Sequence, residues 1–170
     1  MKALKVGNGL DDGINVGPLV NAEGRDKVIE LVEDAVSKGA KVLVGGKKPD
    51  GVGFFYPATV LTNVPDSAKM LSEEIFGPVA SIQTFKTEDE AIKRANATEY
   101  GLVAYLYTKD LTRGLRVSEK LDFGMIGLNR GLVSDPAAPF GGTKQSGLGR
   151  EGAHEGMMEF LETQYVSVTW

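Results

Sequence analysis

The chain contains no cysteine and one histidine, His154. Without cysteine it can form no disulfide and supplies no thiolate nucleophile. With a single histidine besides, almost no zinc donor set remains. A Ser-His-Asp triad would have to use His154, and no neighbouring pattern suggests one. Long apolar runs are also missing, and nothing approaches the roughly 20 residues of a membrane span. The segment Met1-Lys2-Ala3-Leu4-Lys5 has neither an apolar stretch nor a small-residue cleavage site, so it does not read as a signal peptide, and the cytoplasm is the expected compartment. A basic excess is absent too: 19 Lys and Arg face 23 Asp and Glu, giving a net charge of −4. The basic residues are scattered, which speaks against a nucleic-acid partner. There is no internal repeat and no low-complexity linker.

What the chain does have is 170 residues, 42% hydrophobic and 25% charged, enough for a domain with a real core. Its 22 glycines point to tight turns and close backbone approaches. Asn21 is a good N-cap for a helix whose apolar face is Val28, Leu31, Val32, Ala35 and Val36, with Gly39 in the C-cap glycine position. Lys41 to Val44 reads as a short buried strand stopped by Gly45-Gly46. Phe54 to Leu61 is a second strand candidate, with Pro57 pushing it to an edge or a bulge. Val79 to Phe85 is a third. Thr87-Glu88-Asp89-Glu90 fits a capping box before a helix with Ala91, Ile92 and Ala95 on its apolar face.

Further on, Leu102 to Thr108 is an aromatic-rich strand. Asp110 caps a helix running through Leu111, Leu115 and Leu121, and Met125 to Asn129 is a short strand. A glycine-rich loop spans Arg130 to Arg150, followed by a short helix from about Glu151 to Leu161 and a final strand, Gln164 to Trp170. This alternation predicts an α/β fold with a mostly parallel sheet flanked by helices. In such sheets ligands bind beyond the carboxyl ends of strands, so the loop after Asn129 is the first place to look.

Three patterns invite functional readings. Gly147-Leu148-Gly149-Arg150-Glu151-Gly152 matches the G-x-G-x-x-G expression, but a loop rather than a strand precedes it and no acid follows about 20 residues later. A glycine-rich lead into a helix is the simpler reading. Glu73-Glu74 taken alone reads as solvated surface charge, since neighbours on an extended chain point to opposite sides. His154 reads as a helix-surface residue. Pro139 to Gly147 is a stiff, close-approach loop that suits a structural crossover or a ligand cradle equally well.

Resemblance adds more. Ser72-Glu73-Glu74-Ile75-Phe76-Gly77-Pro78-Val79 resembles the acidic E-E-x-F-G-P signature of aldehyde dehydrogenases. Pro139-Phe140-Gly141-Gly142-x-Lys144-x-Ser146-Gly147-x-Gly149-Arg150-Glu151 resembles their C-terminal P-F-G-G-x-K-x-S-G-x-G-R-E signature. Asn96 to Leu102 resembles their N-x-x-x-Y-G-L segment, and Gly17-Pro18-Leu19 their G-P-L/I turn. Order and spacing agree across essentially the whole chain, which is therefore similar to the C-terminal part of that family. Leu4 to Leu10 and Gly131-Leu132-Val133-Ser134-Asp135 look most like the succinate-semialdehyde type; a dehydrogenase for another aldehyde is the rival.

The resemblance implies an NAD- or NADP-dependent oxidation of a small aldehyde to a carboxylic acid through a cysteine thiolate. In the family the cysteine, the base glutamate, the oxyanion asparagine and most of the dinucleotide-binding domain lie upstream of the matched region. The chain alone is therefore expected to be inactive and to offer no catalytic residue. Glu74 is expected on the nicotinamide ribose hydroxyls and Phe76 beside the nicotinamide. Ser134 and Phe140 are expected at the aldehyde entrance, with Ser134 reaching the substrate's distal carboxylate. Arg130 stands nearby, matches no family arginine, and reads equally as a surface charge. Residues 1–163 would be an incomplete catalytic domain. Residues 164–170 would be an oligomerisation strand joining like subunits, because Val166, Val168 and Trp170 alternate with more polar neighbours. The alternatives are a non-catalytic assembly module and a small-ligand-binding remnant.

Overall fold

A computed structural model describes residues 1–170, which divide into two units, Met1–Phe85 and Lys86–Trp170. The first unit is built around helix α1, Ala22–Ser37. Asn21 caps it, its side-chain oxygen accepting from the Gly24 amide at 2.8 Å, and Gly39 ends it at φ +109°, donating to the Val36 carbonyl. Val28, Leu31, Val32 and Ala35 are buried, as their spacing predicts, whereas Val36 falls on the exposed side of the stripe. They pack with Tyr56, Leu61, Val64 and Met70 into one core cluster. Each fully buried Leu or Val there contributes about 1.5–3 kcal/mol.

Against this core lies a three-stranded sheet of β1 (Lys41–Val44), β2 (Thr59–Thr62) and β3 (Val79–Ile82), in the order β1-β2-β3. β2 runs antiparallel to β1 and parallel to β3. The middle strand carries the burial, with Thr59 and Leu61 fully covered. The expectation of a buried Lys41–Val44 is corrected: Lys41, Val42 and Leu43 are exposed because β1 is the sheet's edge. β2 also starts later than Phe54. Pro57 stays outside the ladder, which begins where the Thr59 amide donates to the Pro78 carbonyl. The buried Thr59 hydroxyl is satisfied at both ends, donating to the Pro57 carbonyl and accepting from the Gly46 amide.

In the second unit, β5 (Val103–Leu106) leads through helix α3 (Leu111–Lys120) into β6 (Met125–Leu128), which pairs with β5 in parallel over four residues. A two-residue strand β4 (Tyr100–Gly101) pairs antiparallel with β7 (Thr143–Lys144). Helix α2 (Glu88–Asn96) precedes them and helix α4 (Ala153–Met158) follows. The α/β class holds, and both four-residue ladders, β2–β3 and β5–β6, are parallel. The single continuous sheet is replaced by three short ones.

The helix caps were legible and the helix faces less so. Thr87 accepts from the Glu90 amide at 3.2 Å, and the Glu90 carboxylate returns to the Lys86 amide, one residue before the cap. Asp110 accepts from the Arg113 amide at 3.0 Å. Yet α3 buries Gly114 and Val117 while Leu111 and Leu115 are exposed, and α2 buries no side chain fully. Gly114 is what allows the close approach, since a Cβ there would sit 3.0 Å from both Leu128 methyls. Residues 164–170 form no strand within the chain, and Tyr165, Val166, Val168 and Trp170 are exposed. No helix is long and apolar enough to cross a membrane.

Helices α2 and α3 are joined by charge. The Glu88 carboxylate accepts from Arg116 Nε and Nη2 at 3.0 and 2.8 Å, and Arg113 stands 3.3 Å away. The Arg116 hydrogen bond holds Glu88 below its ordinary value of 4.5. A depressed carboxylate contributes stability above its unfolded value and loses it as pH falls through the folded one. The melting temperature should therefore drop between about pH 5 and pH 3 more steeply in the wild type than in Glu88→Gln. Thermal melts across that window check this; identical slopes would contradict it.

Candidate functional site

In the first unit the acidic signature forms an exposed turn between a 3₁₀ turn, Lys69–Leu71, and β3. The Ser72 and Glu73 amides both donate to the Lys69 carbonyl, which closes the turn. Ile75 packs on the core cluster. Gly77 lies so close to α1 that a Cβ would meet Val28 Cγ2 at 2.5 Å, so this position admits no side chain without moving a buried valine. Between these two anchors Phe76 adopts φ +46° and leaves its ring 79% exposed. A bulky residue in the left-handed region is uncommon and costs of order 1–3 kcal/mol, so something must hold it there. The anchors on either side do that. Glu74 is exposed and enters no hydrogen bond or ion pair within the chain. The turn thus holds out an unsatisfied carboxylate and an aromatic ring.

In the second unit the parallel pair ends at Asn129, which turns at φ +54° and clasps Thr108 with its side-chain amide, accepting from that residue's N–H and donating to its carbonyl. The Tyr107 hydroxyl then donates to the Arg130 carbonyl at 2.9 Å. The loop beyond folds back over β6: a Cβ at Gly127 would meet Val133 Cγ1 at 3.0 Å. A turn follows in which Asp135 receives the Ala137 and Ala138 amides. Ser134 is exposed. Phe140 is half-buried and locked by a two-way backbone bridge to Glu151, with N···O distances of 2.8 and 2.7 Å.

The glycine-rich loop is tied down by its own polar residues. Lys144, at φ +55°, donates Nζ to the carbonyls of Asn96 and Thr98 at 3.2 and 3.3 Å, beside the C-terminal end of α2. The same ammonium pairs with Asp122 at 3.0 Å and lies 5.6 Å from the centroid of the Phe123 ring. A cation there satisfies orphan carbonyls and opposes the helix dipole. Ser146 Oγ accepts from the Gly101 amide at 2.9 Å. Arg150 Nη1 donates to the Gly142 and Gly149 carbonyls at 2.8 and 2.7 Å. Glycine is required where backbones touch: a Cβ at Gly124 would collide with the Gly141 carbonyl, and one at Gly141 would sit 2.6 Å from the Gly149 carbonyl. Of the two uses open to this loop, the structural crossover accounts for its charged side chains. The sequence left both uses open, because the main-chain partners of Lys144 lie 46 and 48 residues away.

Two clefts border Phe140. One of about 450 Å³ is lined by Leu102, Phe140, Leu148, Arg150, Glu159 and Phe160, among others. A smaller one of about 230 Å³ is lined by Met125 and Ile126 at the start of β6 and by Arg130, Val133 and Pro139. Ser134 lines neither. Glu74 and Phe76 belong to one unit, Ser134 and Phe140 to the other. His154 is exposed, and no three His, Asp or Glu side chains gather as metal ligands would.

The model of the aldehyde dehydrogenase family matches residues 1–166. The chain belongs to the aldehyde dehydrogenase family. Among its relatives, the succinate-semialdehyde dehydrogenase of Paenarthrobacter nicotinovorans is 55% identical over 168 residues, covering 99% of this chain and 37% of that protein. The glutarate-semialdehyde dehydrogenase of Pseudomonas putida is 51% identical over 166 residues, 98% of this chain and 34% of the relative. The crystal structure of an Escherichia coli NADP-dependent enzyme superposes with a TM-score of 0.92 at 47% identity, covering 95% of this chain and 34% of that one. Betaine aldehyde dehydrogenase from Staphylococcus aureus, solved in complex with NAD+, superposes with a TM-score of 0.87 at 40% identity over 94% of this chain and 32% of its own. This family member thus spans about a third of the length of the relatives it matches.

Proposed function

We propose that the chain is part of an NAD(P)-dependent enzyme that oxidises a short aldehyde carrying an anion at its far end. The observation that carries the cofactor role is the turn around Phe76. A left-handed phenylalanine, 79% exposed, stands two residues from a carboxylate with no partner in the chain. Strain of this sort concentrates at binding sites. The residues fit a nicotinamide nucleotide: an ionised carboxylate accepts two charge-assisted hydrogen bonds from vicinal ribose hydroxyls, and an exposed ring gives a flat apolar surface. The bound nucleotide would supply the hydride acceptor. Glu74 would hold and orient it, and Phe76 would keep its reactive end in register.

The substrate class rests on the relatives. The names of relatives at 55%, 51% and 46% identity specify succinate semialdehyde, glutarate semialdehyde and 3-sulfolactaldehyde, each an aldehyde with a remote anion, whereas betaine aldehyde, which carries a cation, belongs to a neighbour at 40%. Ser134, exposed beyond the end of β6, would reach that group, and Phe140 would wall the entrance. Residues 164–170, exposed, with Val166, Val168 and Trp170 alternating with more polar neighbours, and unpaired within the chain, would pair with another copy. A purely assembling module is the reading to beat.

Having no cysteine, the 170-residue chain by itself should reduce neither NAD nor NADP with any aldehyde. Turnover by the pure chain, followed as nicotinamide absorbance, would contradict this. In a full-length enzyme carrying this sequence, Glu74→Gln should weaken cofactor binding about tenfold or more, because each charge-assisted hydrogen bond is worth about 1.5–3 kcal/mol. Glu73→Gln should leave it near the wild type. Equal small effects in a cofactor titration would remove the assignment and favour the assembling module.

A further inference from the structure

Helix α1 carries an acid where helices disfavour one. Asp34 lies in its last turn, where a negative charge opposes the helix dipole, and aspartate is a weak helix former. That turn holds no basic residue to offset it. The nearest cation is Lys38, the C-cap, whose Nζ stands 2.8 Å from Asp34 Oδ1. The Asp34 side chain is only 14% exposed. A residue that breaks a local rule in this way points to a use elsewhere in the fold.

Asp34 caps a helical turn other than its own. The 3₁₀ turn Lys69–Leu71 begins at Ala68, whose side chain has no hydrogen-bond acceptor. The first amides of a helical turn lack partners within it, and a side-chain oxygen commonly takes one. Here Asp34 Oδ2 accepts from the Lys69 amide at 2.9 Å, across 35 residues of sequence. Two further contacts join the same elements: Lys38 Nζ donates to the Ser67 carbonyl at 2.7 Å, and Lys69 Nζ pairs with Glu30 at 2.6 Å. The Glu30 pair is exposed at both ends and adds little, which leaves the charge-assisted cap as the stronger tie.

The effect of that cap runs along the chain into the acidic signature. The Lys69 carbonyl accepts from the Ser72 and Glu73 amides at 3.0 and 2.9 Å and from the Ser72 hydroxyl at 3.1 Å. Glu74 follows directly. At the far end of the same segment Gly77 rests on Val28. Val28 and Asp34 lie within two turns of each other on one helix. Both ends of the stretch that carries Glu74 and Phe76 are therefore fixed to the same rigid rod. We infer that Asp34 is a positioning residue for the nucleotide: by capping the 3₁₀ turn from α1, it sets the direction in which Glu74 meets the ribose hydroxyls. This rests on the cofactor reading above. The Asp34 carboxylate is committed to Lys38 and Lys69, so it acts through the turn and not on the nucleotide itself.

The test is a double-mutant cycle in a full-length enzyme carrying this sequence, read as the Kd for NAD and NADP. Asp34→Ala should weaken binding of the preferred cofactor about tenfold. Added to Glu74→Gln it should weaken binding no further, because the group it positions is already gone. A residue that only stabilises the fold would act alike in both backgrounds. Asp34→Asn keeps an oxygen for the Lys69 amide and should stay within about threefold of the wild type. A measurement on the wild-type chain needs no variant: the Lys69 amide should exchange about tenfold or more slowly than in an unstructured chain. Wild-type affinity in Asp34→Ala, an equal loss in both backgrounds, Asp34→Asn as weak as Asp34→Ala, or an unprotected Lys69 amide would each overturn the inference. So would failure of Asp34→Ala to fold, which would mark the residue as structural only. A normal Glu74→Gln loss beside an inert Asp34→Ala removes the positioning role and leaves the cofactor reading standing. No loss from Glu74→Gln removes that reading, and this inference with it.

Discussion

The Lys144 ammonium is the contact on which most of the second unit depends. One charged group takes the Asn96 and Thr98 carbonyls and pairs with Asp122 beside the Phe123 ring, and so joins the end of α2, the approach to β6 and the glycine-rich loop. Asn96 reinforces the same junction, donating to the Lys120 carbonyl and accepting from the Asp122 amide. With that point fixed, Thr143 and Lys144 can pair with Tyr100 and Gly101, and Ser146 can take the Gly101 amide. Arg150 then closes the loop on its own carbonyls, and the bridge to Glu151 sets Phe140. A loop rich in glycine would otherwise be the most mobile part of the chain, since glycine gives up the most backbone freedom on ordering.

The first unit uses the same device in apolar form. There the anchor is a close contact: Gly77 against Val28, with Ile75 packed on the core two residues earlier. The chain between is forced through an unfavourable backbone angle at Phe76. In the first unit this rigid support leaves two chemically useful groups exposed, Glu74 and Phe76. Groups already satisfied inside the chain, such as Lys144 and Arg150, are poor candidates for ligand contact although they lie in the signature.

Much of this was legible from residue order. Caps at Asn21, Thr87 and Asp110 were local events, decided within three residues, and they sit where the pattern put them. Burial was harder because periodicity reports an apolar face without saying what covers it. Val28 to Ala35 found a core, whereas Leu111 and Leu115 have the same pattern and remain exposed. The edge position of Lys41–Val44 depends on strand order, which no local signal carries. The family resemblance named Glu74, Phe76, Ser134 and Phe140 as candidates. It did not show that Lys144 is taken up by the Asn96 and Thr98 carbonyls, because those partners are distant in sequence.

The central claim is that the glycine-rich loop is stiff because its charged side chains bind its own backbone and that of α2. Amide hydrogen exchange on the chain tests it most directly, read at Gly101, Phe140, Gln145 and Glu151, whose N–H groups all have partners in the loop junction. These four amides should be protected, and Lys144→Met should release them together while Lys144→Arg largely restores them. Exchange at the rate of an unstructured chain in the wild type, or protection untouched by Lys144→Met, would contradict the account.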